Sequence, residues 1–261
     1  MTALLYQIDE RGVAYLTLDR PDLHNAFNED LINELSDAFT DLATHDRVRA
    51  IVLQGNGGSF SAGADLDWMR RAASYGEEKN REDAQRLSDM LFLIDSCPKP
   101  VIAKVHGNAF GGGVGLIACA DIAIAVNKAR FAFTEVRLGL IPAAISPFVM
   151  KAIGPRHARR FFLTAEPIDA ECAKEIGLVH KLVADESELH DQVEIFVGLL
   201  LGNAPGAVAE AKALIHDFGE RPITPELRHE SARRIATLRT SQEGQEGIAA
   251  FLEKRRPNWV H

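Results

Sequence analysis

The chain has 261 residues, of which 46% are hydrophobic and 25% charged, with a formal net charge of −8. That length and apolar content support a sizeable buried core, as one large domain or one domain with an appendage. The acidic balance argues against a nucleic-acid surface, RNA included, because neutralising phosphates takes a clustered excess of Lys and Arg.

The opening residues, MTALLYQIDERG, lack a basic stretch followed by an apolar run, so no secretory leader is expected. Val13–Asp19 (VAYLTLD) alternates and is rich in β-formers, which predicts a strand broken by Arg20-Pro21-Asp22. A helix follows from Asn28, a suitable cap, with Leu31, Leu35, Ala38, Phe39 and Leu42 at helical spacing. Arg49–Gln54 (RAIVLQ) reads as a buried strand feeding a first glycine turn, FSAGAD at Phe60–Asp65. The charged stretch Ser74–Arg86 merges into a helix carrying Leu87, Leu91 and Ile94, which ends at Cys97-Pro98. Pro100–Val105 (PVIAKV) is a strand leading into a second glycine turn, NAFGGGVG at Asn108–Gly115. Next come a helix over Gly112–Ala120 and strand-like Asp121–Val126 and Arg130–Thr134. Beyond Leu140 the pattern is helical only, with segments starting near Ser146, His157, Asp169, Ser187, Pro205, Pro225 and Ser241. Strands interleaved with helices, then helices alone, predict an α/β core with a helical C-terminal subdomain. No internal repeat or low-complexity segment is visible.

Cys97, Cys119 and Cys172 are odd in number, widely spaced and without a CxxC pair, which excludes a disulfide framework and the usual zinc ribbons. No metal is expected. The most apolar stretch, Val101–Val126, is interrupted by Lys104, His106, glycines and Asp121 and is no membrane span. A reducing, cytoplasmic setting is expected. The short basic run Lys254–Arg256 reads as a solvated face or as an anchor for a small anionic ligand.

Each glycine turn sits where strand-like sequence passes into helix-like sequence, a place that leaves backbone N–H groups unpaired. Two such turns can aim two amides at one oxygen, the construction of an oxyanion hole. The plainer alternative is tight turning and close helix packing. A dinucleotide fingerprint does not fit, since Gly111–Gly115 lacks the GxGxxG spacing, and no GxSxG elbow occurs. Among acid–base candidates, Glu135 in FTEVRLGLIP follows a strand among apolar neighbours that would raise its pKa, or it is an ion-paired surface glutamate. Asp65 and Asp121 read as caps or structural partners and His106 as a core histidine. Arg137 would share the face of Glu135 if the strand continued, to bind a substrate anion or pair with a neighbour.

The ordered series LDRPDLHNAF, FSAGAD, KPVIAKVHGNAFGGG, ACADIAIA, FTEVRLGLIP and FLEKRRPNW resembles the crotonase, or enoyl-CoA hydratase/isomerase, superfamily over essentially the whole chain. The resemblance implies an α/β spiral of ββα units, taken here as residues 1–195, and a C-terminal helical subdomain, 196–261, that builds trimers or hexamers. It implies an acyl-CoA partner whose thioester oxygen accepts bonds from the backbone amides of Ala64 and Gly112. Coenzyme A enters as part of the substrate, with no separate cofactor. CoA contacts are implied at Leu23, His24, Ala62, Asp65 and Leu66, with Phe251 and Lys254 contributing from the last helix.

Typical hydratases of this superfamily carry two glutamates twenty positions apart. Here the second is Glu135, and the first position holds Gly115. The isomerase branch is similar in using a single glutamate. Hydratases acting on branched glutaconyl-CoA substrates are similar too, more so through RLGLIPAAISPFV. A glutamate at 115 would face the carboxylate of methylglutaconyl-CoA. Two like charges ~5 Å apart repel by roughly 3 kcal/mol at an effective dielectric of ~20, about a hundredfold in binding. Glycine removes that repulsion and is expected to free space for a branched chain. The expectation is syn hydration of 3-methylglutaconyl-CoA, an intermediate of leucine breakdown, with Glu135 as the one catalytic carboxylate. Arg137, or else Arg70 or Arg71, would bind the distal carboxylate. The alternatives are an isohexenylglutaconyl-CoA hydratase, a Δ3,Δ2-enoyl-CoA isomerase, a glutaconyl-type decarboxylase and a non-catalytic CoA-binding scaffold.

Overall fold

In the computed structural model, which describes residues 2–219 and 221–260, the chain begins with a hairpin. Strand β1 (Leu4–Ile8) pairs antiparallel with β2 (Val13–Leu18). Helix α1 (Glu29–Thr44) follows; the Asn28 side chain accepts from the Leu31 amide, and the face carrying Leu31, Leu35, Phe39 and Leu42 is buried. The expected cap and the expected apolar stripe are both in place.

The middle of the chain repeats one plan three times. Strand β3 (Ala50–Gly55) leads to β4 (Ser59–Ser61) and then to helices α2 (Leu66–Ala72) and α3 (Glu77–Asp95). Strand β5 (Val101–Val105) leads to β6 (Asn108–Phe110) and α4 (Gly112–Cys119). Strand β7 (Ile122–Val126) leads to β8 (Arg130–Ala132), a 3-10 turn at Glu135–Leu138 and α5 (Ser146–Thr164). The longer strand of each unit joins a six-stranded sheet with β1 and β2 at one edge and β10 (Lys181–Val183) at the other. The three-residue strand joins a second sheet ordered β4, β6, β8 and β9 (Ile168–Asp169). These are the ββα units of the expected spiral. The first sheet is parallel from β2 to β10, and its central strands are buried on both faces, hence the continuous apolar runs of β3, β5 and β7.

Three expectations change. The region beyond Leu140 is not helical only: β9 and β10 close the two sheets, with α6 (Ala170–Glu175) between them. The separate helix starts at Ser146 and His157 are two halves of α5, kinked where Gly154 takes φ 73 before Pro155. Helix α7 (Glu186–Leu201) packs on the first sheet, so the expected division at 195/196 falls inside a helix. We place it instead at Gly202–Ala204, before α8 (Pro205–Phe218), α9 (Pro225–Thr240) and α10 (Gln242–Leu252). Among the described residues no single helix is long and apolar enough to cross a bilayer; α7 and α8 together have the composition but are bent by 103°.

Candidate active site

Strands β4, β6 and β8 are parallel neighbours, in register at Ser59 with Asn108 and at Ala109 with Phe131. The segments that leave their C-terminal ends are therefore brought side by side. These segments are the first glycine turn with Ala64, the second with Gly112, and the turn that carries Glu135. A shared position in three successive units gathers three residues spread over seventy positions of sequence.

Ala64 owes its free amide to its neighbour. Phe27 donates to the Gly63 carbonyl at 2.6 Å and accepts from the Asp65 amide at 2.8 Å. In this parallel bridge Phe27 makes both bonds, so the Ala64 N–H has no acceptor among the described residues. Gly112 is the first residue of α4, and its N–H is likewise without an acceptor among them, at the positive end of the helix. The two turns press together: a Cβ added at Gly113 would lie 2.5 Å from the Ser61 carbonyl oxygen. The turns that carry Ala64 and Gly112 are therefore packed against each other.

The first turn is braced by residues that sequence reasoning passed over. Asn25 is fully buried at φ 55, and its side-chain amide donates to the carbonyls of Asn56 and Ser59, both at 2.9 Å. Ser61 Oγ donates to the Asn25 carbonyl, and the Ala62 amide donates to the His24 carbonyl. Arg20 pairs with Asp65 at 2.7 Å. Asp65 also caps α2 by accepting from the Asp67 and Trp68 amides. Burial pushes the Asp65 carboxyl up, but Arg20 and the two amides outweigh it and hold it below the usual aspartate value. The sequence points to Asp65 as a cap or structural partner, whereas Arg20, Asn25 and Ser61 carry no local signal of their part in the bracing.

Glu135 opens the 3-10 turn rather than extending β8. Its Oε1 lies 3.1 Å from where a Cβ on Gly111 would stand, directly over the second turn. Its Oε2 is buried with no hydrogen-bond partner among the described residues. Burial raises its pKa above the ordinary value of 4.5, only its own backbone amide opposes this, and no charged neighbour contributes. A half-buried carboxyl with an unused oxygen beside two unused amides is equipped to exchange a proton with a group held by those amides.

Gly115 lies one turn into α4, its amide donating to the carbonyl of the N-cap Gly111 at 3.2 Å, and here an expectation is corrected. The space is not free for a branched substrate. A Cβ at Gly115 would meet Ile145 Cγ2 at 2.7 Å and Leu91 Cδ1 at 3.4 Å. Ile145, at the start of α5 and 2% exposed, fills the position where a second carboxylate would stand. Arg137 does not share a strand face with Glu135, because the strand ends first; its guanidinium donates to the Ala165 carbonyl at 2.6 Å. Arg70 and Arg71 pair with Asp67 and Glu29.

Leu23 and Leu66 are exposed, the His24 carbonyl accepts from the Ala62 amide and so holds Leu23 and His24 beside the first turn, and Asp65 is buried against Arg20. Phe251 and Lys254 are not brought to them within one chain. The last segment is tied down elsewhere, by Trp259 Nε1 on the Gly202 carbonyl and by Arg49 on the Trp259 carbonyl. Arg49 precedes β3, at the opposite end of α1 from Phe27 and Ala64, a helix of 16 residues or about 24 Å. Arg255 pairs with Glu246 and Glu253, so the basic run is a solvated face.

The remaining titratable candidates are structural. His106 is buried with Nε2 at 3.0 Å from the Gly57 carbonyl, and burial lowers its pKa. Asp121 accepts from the Val101 amide and from Lys212, each at 2.7 Å. Burial raises the pKa of the Cys119 thiol, which leaves it inert. No cluster of three or more His, Cys, Asp or Glu able to hold a metal occurs among the described residues.

Comparison with known proteins agrees with this geometry. The family model for enoyl-CoA hydratase/isomerase matches residues 9–261. A crotonyl-CoA hydratase from Syntrophomonas wolfei is 34% identical over 96% of this chain and 95% of its own length. The crystal structure of an enoyl-CoA hydratase from Shewanella pealeana superposes with a TM-score of 0.95 at 43% identity, covering 98% of this chain and 96% of that one. That of an enoyl-CoA hydratase from Mycobacterium smegmatis gives 0.94 at 36% identity over the full length of both. With the family match over nearly the whole chain and the two-sheet spiral shared with these structures, the chain belongs to the enoyl-CoA hydratase/isomerase family of the crotonase superfamily.

Proposed function

We propose that this enzyme adds water syn to a branched 2-enoyl-CoA, with 3-methylglutaconyl-CoA as the favoured substrate and Glu135 as its one acid–base group. The thioester oxygen accepts from the Ala64 and Gly112 amides, which carry the negative charge of the enolate. Glu135 takes a proton from water as the water adds to the β-carbon and returns that proton to the α-carbon. The observation that carries the reading is Glu135 itself, buried over Gly111 with Oε2 unpartnered and no second carboxylate along the face of α4. Hydration is the reaction named for the Syntrophomonas relative. An acid at position 115 would oppose a carboxylated substrate, and its absence supports this substrate class. Gly115 opens no space for the branch, since Ile145 occupies it; a methyl branch packs against that isoleucine instead.

The apolar Ile145–Leu91 wall also supports a second reading, Δ3,Δ2-enoyl-CoA isomerisation, in which one carboxylate moves a proton between two carbons and water is not needed. Coenzyme A arrives as part of the substrate in either case. We further propose that α8–α10 assemble trimers or hexamers, with Phe251 (83% exposed), Leu252 and Ile223 as apolar surface awaiting cover.

Incubating the protein with 3-methylglutaconyl-CoA and with a 3-enoyl-CoA separates the readings. The expected product is the 3-hydroxy thioester from the first; isomerisation of the second without hydration of the first would establish the other reading. Arg137 has donors beyond the one given to Ala165 and is the proposed partner of the distal carboxylate. Arg137→Ala is expected to raise KM about tenfold for 3-methylglutaconyl-CoA and to leave crotonyl-CoA unchanged. An equal effect on both contradicts that role.

A further inference from the structure

We infer that Ile145 is the specificity-determining residue of this site: by filling the volume beside Gly115 it bars a second carboxylate, keeps Glu135 dry, and forms the wall against which the substrate branch packs. The inference rests on the reading of Glu135 as the acid–base group. Glu135 Oε1 stands over Gly111, the N-cap of α4, and Ile145 Cγ2 over Gly115, whose amide donates to the Gly111 carbonyl at 3.2 Å. That bond closes the first turn of the helix, a rise of about 6 Å, and sets the carboxyl and the isoleucine over its two ends. Ile145 approaches closely enough that even an alanine at 115 would have to displace it, and Leu91 backs it from α3. A larger side chain at 115 therefore requires a smaller one at 145. Gly115 and Ile145, thirty positions apart, form one unit and must change together.

The wall acts on the chemistry in three ways. With Ile145 in place no group beside Glu135 holds a second water or competes for the proton. The buried Oε2 has neither partner nor solvent, and the removal of water maintains that state. The wall favours a β-methyl over a hydrogen, because the methyl fills contact surface that a straight chain leaves empty.

The test compares Ile145→Ala, Gly115→Glu, the two combined, and Glu135→Gln, each checked for cooperative unfolding. Ile145→Ala is expected to cut the kcat/KM ratio of 3-methylglutaconyl-CoA to crotonyl-CoA about tenfold and to move the acid limb of the pH profile downward, as water reaches Glu135. Gly115→Glu alone is expected to lose folding or activity. The combined variant is expected to fold and to hydrate crotonyl-CoA at least tenfold faster than Ile145→Ala does. A folded, active Gly115→Glu enzyme with the same gain would overturn the inference, as would a folded double variant without any gain. Should the double variant not fold, Ile145→Ala decides alone: an unmoved acid limb and an unmoved substrate ratio overturn the inference. Turnover surviving Glu135→Gln would sink the reading of Glu135 instead; turnover lost there with Ile145→Ala silent sinks only the role of Ile145.

Discussion

Replacing Glu135 with glutamine is expected to lower kcat by ~10²-fold or more with little change in substrate binding, and to make the folded protein more stable at neutral pH. The first effect arises because glutamine keeps the shape of the neutral acid but cannot accept a proton. The second comes from burial. Glu135 Oε2 is buried without a partner, and burial raises the pKa of the carboxyl above 4.5. Below that ordinary value the group is neutral in both folded and unfolded chains and carries no charge penalty. As the pH rises through the raised folded value, the unfolded chain ionises more readily than the folded one, and stability is lost. Glu135→Gln removes that loss, so in denaturant titrations the variant should gain stability at pH 7 relative to pH 4. The same shift places the acid limb of kcat/KM above the ordinary glutamate range, because only the ionised carboxyl acts as a base. Unchanged turnover in Glu135→Gln would remove this residue from the mechanism and favour a CoA-binding scaffold.

Gly113→Ala should be nearly as damaging for a different reason. An added Cβ would stand 2.5 Å from the Ser61 carbonyl oxygen and 2.9 Å from Ser61 Cβ. Backbone has no rotamer to escape through, so β4 and the start of α4 must part. The first leads into Ala64 and the second begins at Gly112, and a shift of an ångström between them is enough to spoil a pair of donors aimed at one oxygen. The expected loss is ~10²–10³-fold in kcat/KM, the cost of one oxyanion donor. Overpacking should also lower stability by ~1–3 kcal/mol. Steady-state kinetics and thermal unfolding of the purified variant check both; a folded variant with near-normal kcat would mean that the two turns do not act together.

Much of the core was legible because its signals are local. The apolar runs of β3, β5 and β7 and the capped stripe of α1 each lie within one window of sequence. Strands β4 and β6 were not legible, since three residues such as SFS or NAF are too few to show alternation, whereas β8 is read from sequence two residues too long. With them went the repeat: its three units carry helical segments of very different length, α2 with α3, then α4, then α5, which hides the shared plan. Arg137 would share the face of Glu135 only if the strand continued, and β8 ends at Ala132. At the site, the glycine turns suggested an oxyanion hole, and resemblance supplied both its expected donors, Ala64 and Gly112, and the missing acid at 115. The side chain that fills this space did not, because nothing in the chain links Ile145 to Gly115 until α5 is laid against α4.

The most direct test of the account is a crystal structure with an unreactive acyl-CoA analogue bound. The thioester oxygen should lie ~2.7–3.1 Å from both the Ala64 and the Gly112 nitrogens, with the Glu135 carboxyl facing the α-carbon. A thioester oxygen bound by neither amide, or a Glu135 carboxyl turned away from the acyl chain, would contradict it.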